Sequence, residues 1–218
     1  TCTFLNNSAA IYFDYLTNPV RFNTLFNVSN SSFVNHHSTL AAVNVISQSG
    51  QFEWHLFNST FTGNTGLTSG GIYLLYQSSP TVKANVSLYW SNLTMEDNVG
   101  GNGGALAINR TYSHSPDTLF WQLSQSRLQN NSAVNGGAID VFLASTQTVL
   151  FDQVTCVGNN ATLGGCINAY SGIESQPAPL IWTFQNSTFQ SNTAETGAGV
   201  SLGLASSGTA DLTFTKVK

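Results

Sequence analysis

The sequence predicts an all-β chain wound into a right-handed parallel β-helix of about seven coils, and three observations carry that expectation. The first is a repeat: an apolar anchor is followed three residues on by Asn, eight to ten on by three small residues, and eleven on by a branched aliphatic. Leu128, Asn131, Gly136-Gly137-Ala138 and Ile139 show it most plainly, and the anchors Phe4, Phe33, Phe61, Met95, Leu128, Cys156 and Phe189 recur every 28 to 34 residues, about the period of repeat architectures. The second is strict alternation of apolar and polar residues on either side of the anchor, the mark of a strand with one buried face. The third is composition. Only 7% of residues are charged while 11% are aromatic and mean hydropathy is zero, so a polar but uncharged surface must enclose an apolar core.

Taken in order, residues 1–32 form an irregular first coil, with Phe4, Asn7 and Ala9-Ala10-Ile11 as a degenerate repeat and Asn18-Pro19 as a turn. Regular coils run over 33–218, and the whole of 1–218 reads as one β-helix domain, a segment of a longer chain. Seven and five residues before each later anchor stand large apolar residues: Trp54 and Leu56, Leu88 and Trp90, Trp121 and Leu123, Val149 and Phe151, Trp182 and Phe184. All four Trp residues fall there and read as stacked core; a sugar-binding aromatic platform is the functional alternative. A second alternating run follows the small triplet, as in Ile72-Tyr73-Leu74 and Ile139-Asp140-Val141. Each repeat thus carries at least two strands, with the anchor, a tight corner and the Asn between them. One repeat cannot bury its apolar side alone; stacking coils at about 4.8 Å pairs every strand with its counterparts above and below.

The recurrent Asn suggests a structural ladder of Asn7, Asn64, Asn98, Asn131, Asn159 and Asn192, whose amides bond between coils and satisfy backbone groups that the corner leaves open. His36 takes that place in a degenerate repeat as a substituted rung. Glycine in the triplet allows close backbone approach. Cys156 and Cys166 occupy two inward positions of one repeat, so a disulfide between them is a candidate, with two buried thiols as the alternative. Cys2 is left without a partner among the three cysteines.

Acceptor sequons N-x-[ST] occur at Asn6, Asn27, Asn30, Asn58, Asn85, Asn92, Asn109, Asn130, Asn160 and Asn186. Asn30, Asn58, Asn92 and Asn186 each precede an anchor by three residues, where period-2 alternation places a side chain outside. That is where a glycan must go; the alternative is that Asn and Thr are simply common on polar strands.

The motifs GGAL at 103–106, GGAI at 136–139, FTGN at 61–64 and FQSN at 189–192, with GGCI at 164–167 and MEDN at 95–98, resemble the GGA[ILV] and FxxN repeats of the chlamydial polymorphic outer-membrane proteins. Similar repeats occur in other large extracellular β-helix proteins with a pectin-lyase-like fold. The resemblance covers nearly the whole chain, and it implies a surface-exposed right-handed β-helix with adhesive or structural duties. The chain departs from the chlamydial proteins in its sequon load, and no autotransporter barrel is expected within 1–218.

A net charge of −4 with six basic residues gives a phosphate backbone little to hold, and no apolar run approaches the roughly 20 residues of a membrane span. No cofactor or metal is expected. The acids fall singly: Asp140 registers with Ala107 and Asn168, Asp152 with Ser124 and Gln185, and the paired carboxylates of glycoside hydrolysis are not in evidence. The sequence therefore points to a non-catalytic, secreted or cell-surface structural glycoprotein, a fibre or surface-layer block whose copies or successive domains stack end to end. Two alternatives are an adhesin binding carbohydrate or a receptor through the loops at 110–116 and 171–179, and a polysaccharide lyase or hydrolase.

Overall fold

A computed structural model describes residues 2–5, 11–15, 23–48, 50–77, 84–111, 118–143, 146–171, 179–204 and 209–218. The described residues form a right-handed parallel β-helix built from three seven-stranded sheets and a two-stranded sheet of His37–Ser38 with Thr65–Gly66, with no helix. Each coil gives one strand to each of the three large sheets, so a coil has at least three strands where alternation alone implied at least two. The third is the anchor's own. Thr60–Thr62, Thr94–Glu96, Arg127–Gln129 and Thr155–Val157 pair as the middle of a sheet that begins at Cys2–Leu5. Three residues are too few to display an alternation, which is why this strand reads as a corner in the sequence.

Two left-handed residues bracket that short strand. Asn30, Asn58, Asn92, Gln125, Gln153 and Asn186 precede it with φ near +50°, and Asn35, Gly63, Asp97, Asn130, Gly158 and Ser191 follow it with positive φ. Asn is the non-glycine residue that tolerates this conformation most readily. Each bend rotates the chain into the next wall, and its backbone N–H bonds to the neighbouring coil, as in Asn58 N–H to Ser91 O at 3.1 Å.

The second sheet begins after the small triplet and includes Ile72–Gln77, Leu106–Thr111, Ile139–Leu143 and Ile167–Ser171. The third carries the tryptophans and includes Gly50–Phe57, Ala84–Ser91, Thr118–Ser124, Thr146–Asp152 and Leu180–Gln185. The first coil is less irregular than its sequence suggests. Cys2–Leu5, Ile11–Tyr15 and Asn23–Ser29 each pair in register with the second coil, Phe4 lying beside Phe33 and Phe26 beside Trp54.

The core is a set of columns. Phe4, Phe33 and Phe61 stack face to face at centroid separations of 4.9 and 4.6 Å. In the third sheet the bulky residue changes column from coil to coil: Trp54 over Leu88, Leu56 over Trp90, then Trp121, then Phe151, then Trp182. Adjacent large rings therefore meet diagonally, Trp54–Trp90 at 4.9 Å, Trp90–Trp121 at 5.5 Å and Trp121–Phe151 at 5.1 Å, each edge to face. All four Trp side chains are fully buried, so none serves as a surface platform for sugar. Their indole N–H groups have no hydrogen-bond acceptor among the described residues, and each of these rings packs edge-on or tilted against an aromatic neighbour.

Candidate functional site

Inside the helix, the sequence-derived Asn rungs form a continuous hydrogen-bonded column. Asn64 Nδ2 donates to Asn98 Oδ1 at 2.9 Å, Asn98 to Asn131 at 2.9 Å, Asn131 to Asn159 at 3.0 Å and Asn159 to Asn192 at 2.9 Å. The second N–H of each amide reaches back to the anchor carbonyl of the coil before, Asn64 to Phe33 O and Asn98 to Phe61 O. The oxygen also takes the backbone N–H of the preceding rung. His36 fills the same place with its ring: Nε2 lies 3.1 Å from Phe4 O, and His36 N–H bonds to Asn64 Oδ1 at 3.0 Å. This column is fully used by the fold. Asn7, the expected first rung, and the sequon Asn6 lie outside the described residues.

Cys156 and Cys166 are joined as a disulfide with Cα atoms 6.2 Å apart, and both are sealed in the core. Cys166 stands where Ala105 and Ala138 stand in earlier coils, so the bridge fills space across from a small anchor. Cys2 is free and exposed.

The described sequon residues Asn27, Asn30, Asn58, Asn85, Asn92, Asn130, Asn160 and Asn186 are exposed, and Asn109 is half-buried. For five of them a second cause is on view, Asn130 taking φ 52° in the bend after its strand. Asn30, Asn58, Asn92 and Asn186 adopt the left-handed bend before the anchor strand, a conformation that selects Asn whether or not a sugar follows. The next residue is often Ser for a related reason. Ser31, Ser59 and Ser187 turn inward, and each hydroxyl donates to the carbonyl two residues back. The bend thus accounts for the Asn at these four sites, while the hydroxyl that completes each sequon, on Ser32, Thr60, Thr94 and Thr188, lies one residue further on and is not explained by it. Asn58 Nδ2 bonds to Asn30 Oδ1 at 3.2 Å, and Asn92 Nδ2 to Asn58 Oδ1 at 2.7 Å, as an outer amide ladder.

The outer faces carry features that sequence reasoning missed. On the third sheet His55 stacks on Tyr89 with centroids 5.0 Å apart, Phe120 tilts against Tyr89 at 5.6 Å, and Glu53 contacts the His55 ring. A groove of about 470 Å³ runs beside them, lined by Gln51, Glu53, Asn85, Ser87 and Thr118 among others. On the second sheet Phe142 and Tyr170 stack at 5.5 Å and 12°, although they are 48% and 37% exposed. Two residues before Phe142 in the strand is Asp140, buried, its carboxylate accepting from Asn168 Nδ2 at 2.8 Å. Burial raises the Asp140 pKa, and the Asn168 amide only partly opposes it. These side chains are 28 to 34 residues apart in sequence and meet only through coil register, which no local motif reports.

The register sets Asp140 between Ala107 and Asn168, and Asp152 between Ser124 and Gln185. Among the described residues no group of three or more His, Cys, Asp and Glu side chains is placed to hold a metal ion, and no helix is long and apolar enough to cross a membrane. The loops at 110–116 and 171–179 fall for the most part outside the described residues. No family model, curated protein or solved structure matches the chain.

Proposed function

We propose that this chain is a non-catalytic structural glycoprotein of the cell surface or extracellular matrix, working as a stackable β-helical block. The observation that carries the reading is how the polar residues divide. The ladder amides Asn64, Asn98, Asn131 and Asn159 are consumed by the fold, whereas the sequon amides outside the left-handed bends, Asn27, Asn85 and Asn160, are presented to solvent with no backbone conformation that demands Asn. A surface almost without charge gains its solubility from such groups, and attached sugars would extend it.

The stacking part of the proposal draws on the axial pairing of the described coils with their neighbours in three parallel sheets, a mode of contact that another copy could continue. Kinship with pectin-lyase-like helices and with the chlamydial outer-membrane repeats is part of the proposal. The shared residues, FxxN and GGA[ILV], are those that form the inner ladder and the crowded corner, so the likeness is one of coil geometry. Glycopeptide mass spectrometry and electron microscopy of the natural material test the reading: sequons filled and blocks joined end to end support it, while bare sequons on isolated monomers refute it.

A second reading, an adhesin for carbohydrate, draws on the groove beside Glu53 and the Tyr89 ring. Glu53 is the one carboxylate among the groove's lining residues, which suits hydrogen bonding to hydroxyls better than acid–base cleavage by a carboxylate pair. Binding on a glycan array that is lost in Glu53→Ala would favour it.

A further inference from the structure

Two aromatic pairs stand in outer-face columns of different sheets, and each follows a sequon Asn in register. Asn27 pairs in register with His55, which pairs with Tyr89; Asn109 pairs with Phe142, which pairs with Tyr170. Residues so paired lie on the same outer face about 4.8 Å apart along the axis. Because the rings are stacked along that axis, each first ring has one face covered by the second ring and its other face turned toward the asparagine. The far ends are closed. A Cβ on Gly203 would come within 2.7 Å of the Tyr170 ring, so backbone already lies against it, and Phe120 leans on Tyr89. In each column the first ring's face away from the second ring is the one beside the sequon, and Phe57 also tilts against His55 with centroids 5.6 Å apart.

We infer that the His55 and Phe142 rings are seats for the innermost sugars of N-glycans carried by Asn27 and Asn109. The inference rests on the glycoprotein reading above. An N-acetylhexosamine linked to Nδ2 starts at ring height, and its C–H face is apolar and weakly positive, a match for the negative π face of an aromatic ring. The Asn109 amide is also held from its other side by a hydrogen bond with the Tyr73 hydroxyl. Glycosylation leaves the amide one N–H, enough to keep that bond while the sugar lies on Phe142. This gives a physical use for a phenylalanine nearly half exposed on a polar wall. The sequons at Asn58, Asn92 and Asn186 have no ring in their column of left-handed corner residues, so sugars there would project freely.

The test is NMR of the chain secreted from a eukaryotic host with isotope-labelled glycans. Ring-current displacement of the first-sugar protons is expected at Asn109 and Asn27 and not at Asn186. Phe142→Ala should abolish the displacement at Asn109 alone, and His55→Ala that at Asn27 alone, with occupancy unchanged. Both rings are outside the core, so the fold serves as its own control. Filled sites whose sugars match the Asn186 pattern overturn the seating and leave the glycoprotein reading intact. Empty Asn27 and Asn109 beside other filled sequons do the same, whereas empty sequons throughout overturn both. Binding of free chito-oligosaccharide to sugar-free chain, lost in Phe142→Ala, would assign the ring to an outside ligand and also overturn the proposal.

Discussion

Asn98 donates from Nδ2 to Asn131 Oδ1 at 2.9 Å, and its own backbone N–H reaches the same oxygen at 3.1 Å. One amide oxygen thus closes two hydrogen bonds from the coil before it, and the pattern repeats up the interior. Removing a rung leaves several buried groups orphaned at once. In Asn98→Leu, Asn64 loses the acceptor for its N–H and for one Nδ2 hydrogen, and Phe61 O loses its donor. At about 1–3 kcal/mol for each unsatisfied buried group, the expected cost is ~3–6 kcal/mol. Urea denaturation gives the total, and hydrogen exchange at the Asn64 amide gives the local part. A loss below ~1 kcal/mol with protection intact would show that the ladder is ornamental.

The third sheet makes a different demand, on arrangement and not composition. Trp90 fits because Leu88 and Leu56 leave room beside it, while Trp54 and Trp121 occupy the opposite column. The double exchange Leu88→Trp with Trp90→Leu keeps every atom type and total volume. It nevertheless sets three tryptophans in one column and leaves a hole in the other. Overpacking costs about 1–3 kcal/mol and the cavity about 2–5 kcal/mol, so a loss above ~3 kcal/mol is expected by thermal or chemical unfolding. A near-neutral exchange would mean that the zigzag carries no packing information.

Much of this fold was legible because its strongest signals are local. Phe61 to Asn64 and Gly70-Gly71 to Ile72 each lie within one corner, and Trp54 with Leu56 shows a period of two directly. The three-strand cross-section was less legible, since Thr60–Thr62 is shorter than one full alternation between its two left-handed neighbours. The surface was least legible. Asn58 looked like a glycan acceptor placed by design, yet its φ of 49° gives it an independent structural reason. Conversely, Phe142 and Tyr170 belong to no motif in the sequence. Their stacking is a consequence of register, which sequence spacing encodes only once the variable loops have been counted out.

Asp140 supplies a pH-dependent test. Its folded-state pKa lies above the ordinary value of 3.8, chiefly because burial disfavours the charged form. Between the unfolded pKa and the raised folded one, the native state holds more protons than the unfolded chain. Stability must therefore fall as pH rises through that window, and Asp140 contributes a cost at neutral pH. An amide in place of the carboxylate could still accept from Asn168 through its oxygen, without the buried charge. Asp140→Asn is expected to stabilise the chain at pH 7 and to give no such gain below about pH 3.8, where both states bind the proton. Parallel urea titrations at pH 3 and pH 7 measure it, and a gain independent of pH would remove titration as the cause.

The glycine corners set the closest approach of coils. A Cβ added to Gly137 would fall on Gly165 O and come within 2.8 Å of Asn160 N, both backbone atoms of the next coil that cannot swing aside. Gly165 and Gly104 make the same contact with Ala198 O and Gly137 O, so the corner repeats as a column of Cα atoms under carbonyls. Gly137 does not need its glycine for a positive φ, in contrast to Gly136 with φ +54°, so Gly137→Ala isolates the approach from the backbone conformation. The added methyl has to push the coils apart locally, breaking the Gly137 N–H to Gly164 O bond at 3.0 Å and straining the Asn131–Asn159 rung beside it. The expected loss is ~2–4 kcal/mol, from overpacking plus one strained hydrogen bond. Chemical denaturation measures it, and a loss under ~1 kcal/mol would contradict close approach as the reason for glycine at the corner.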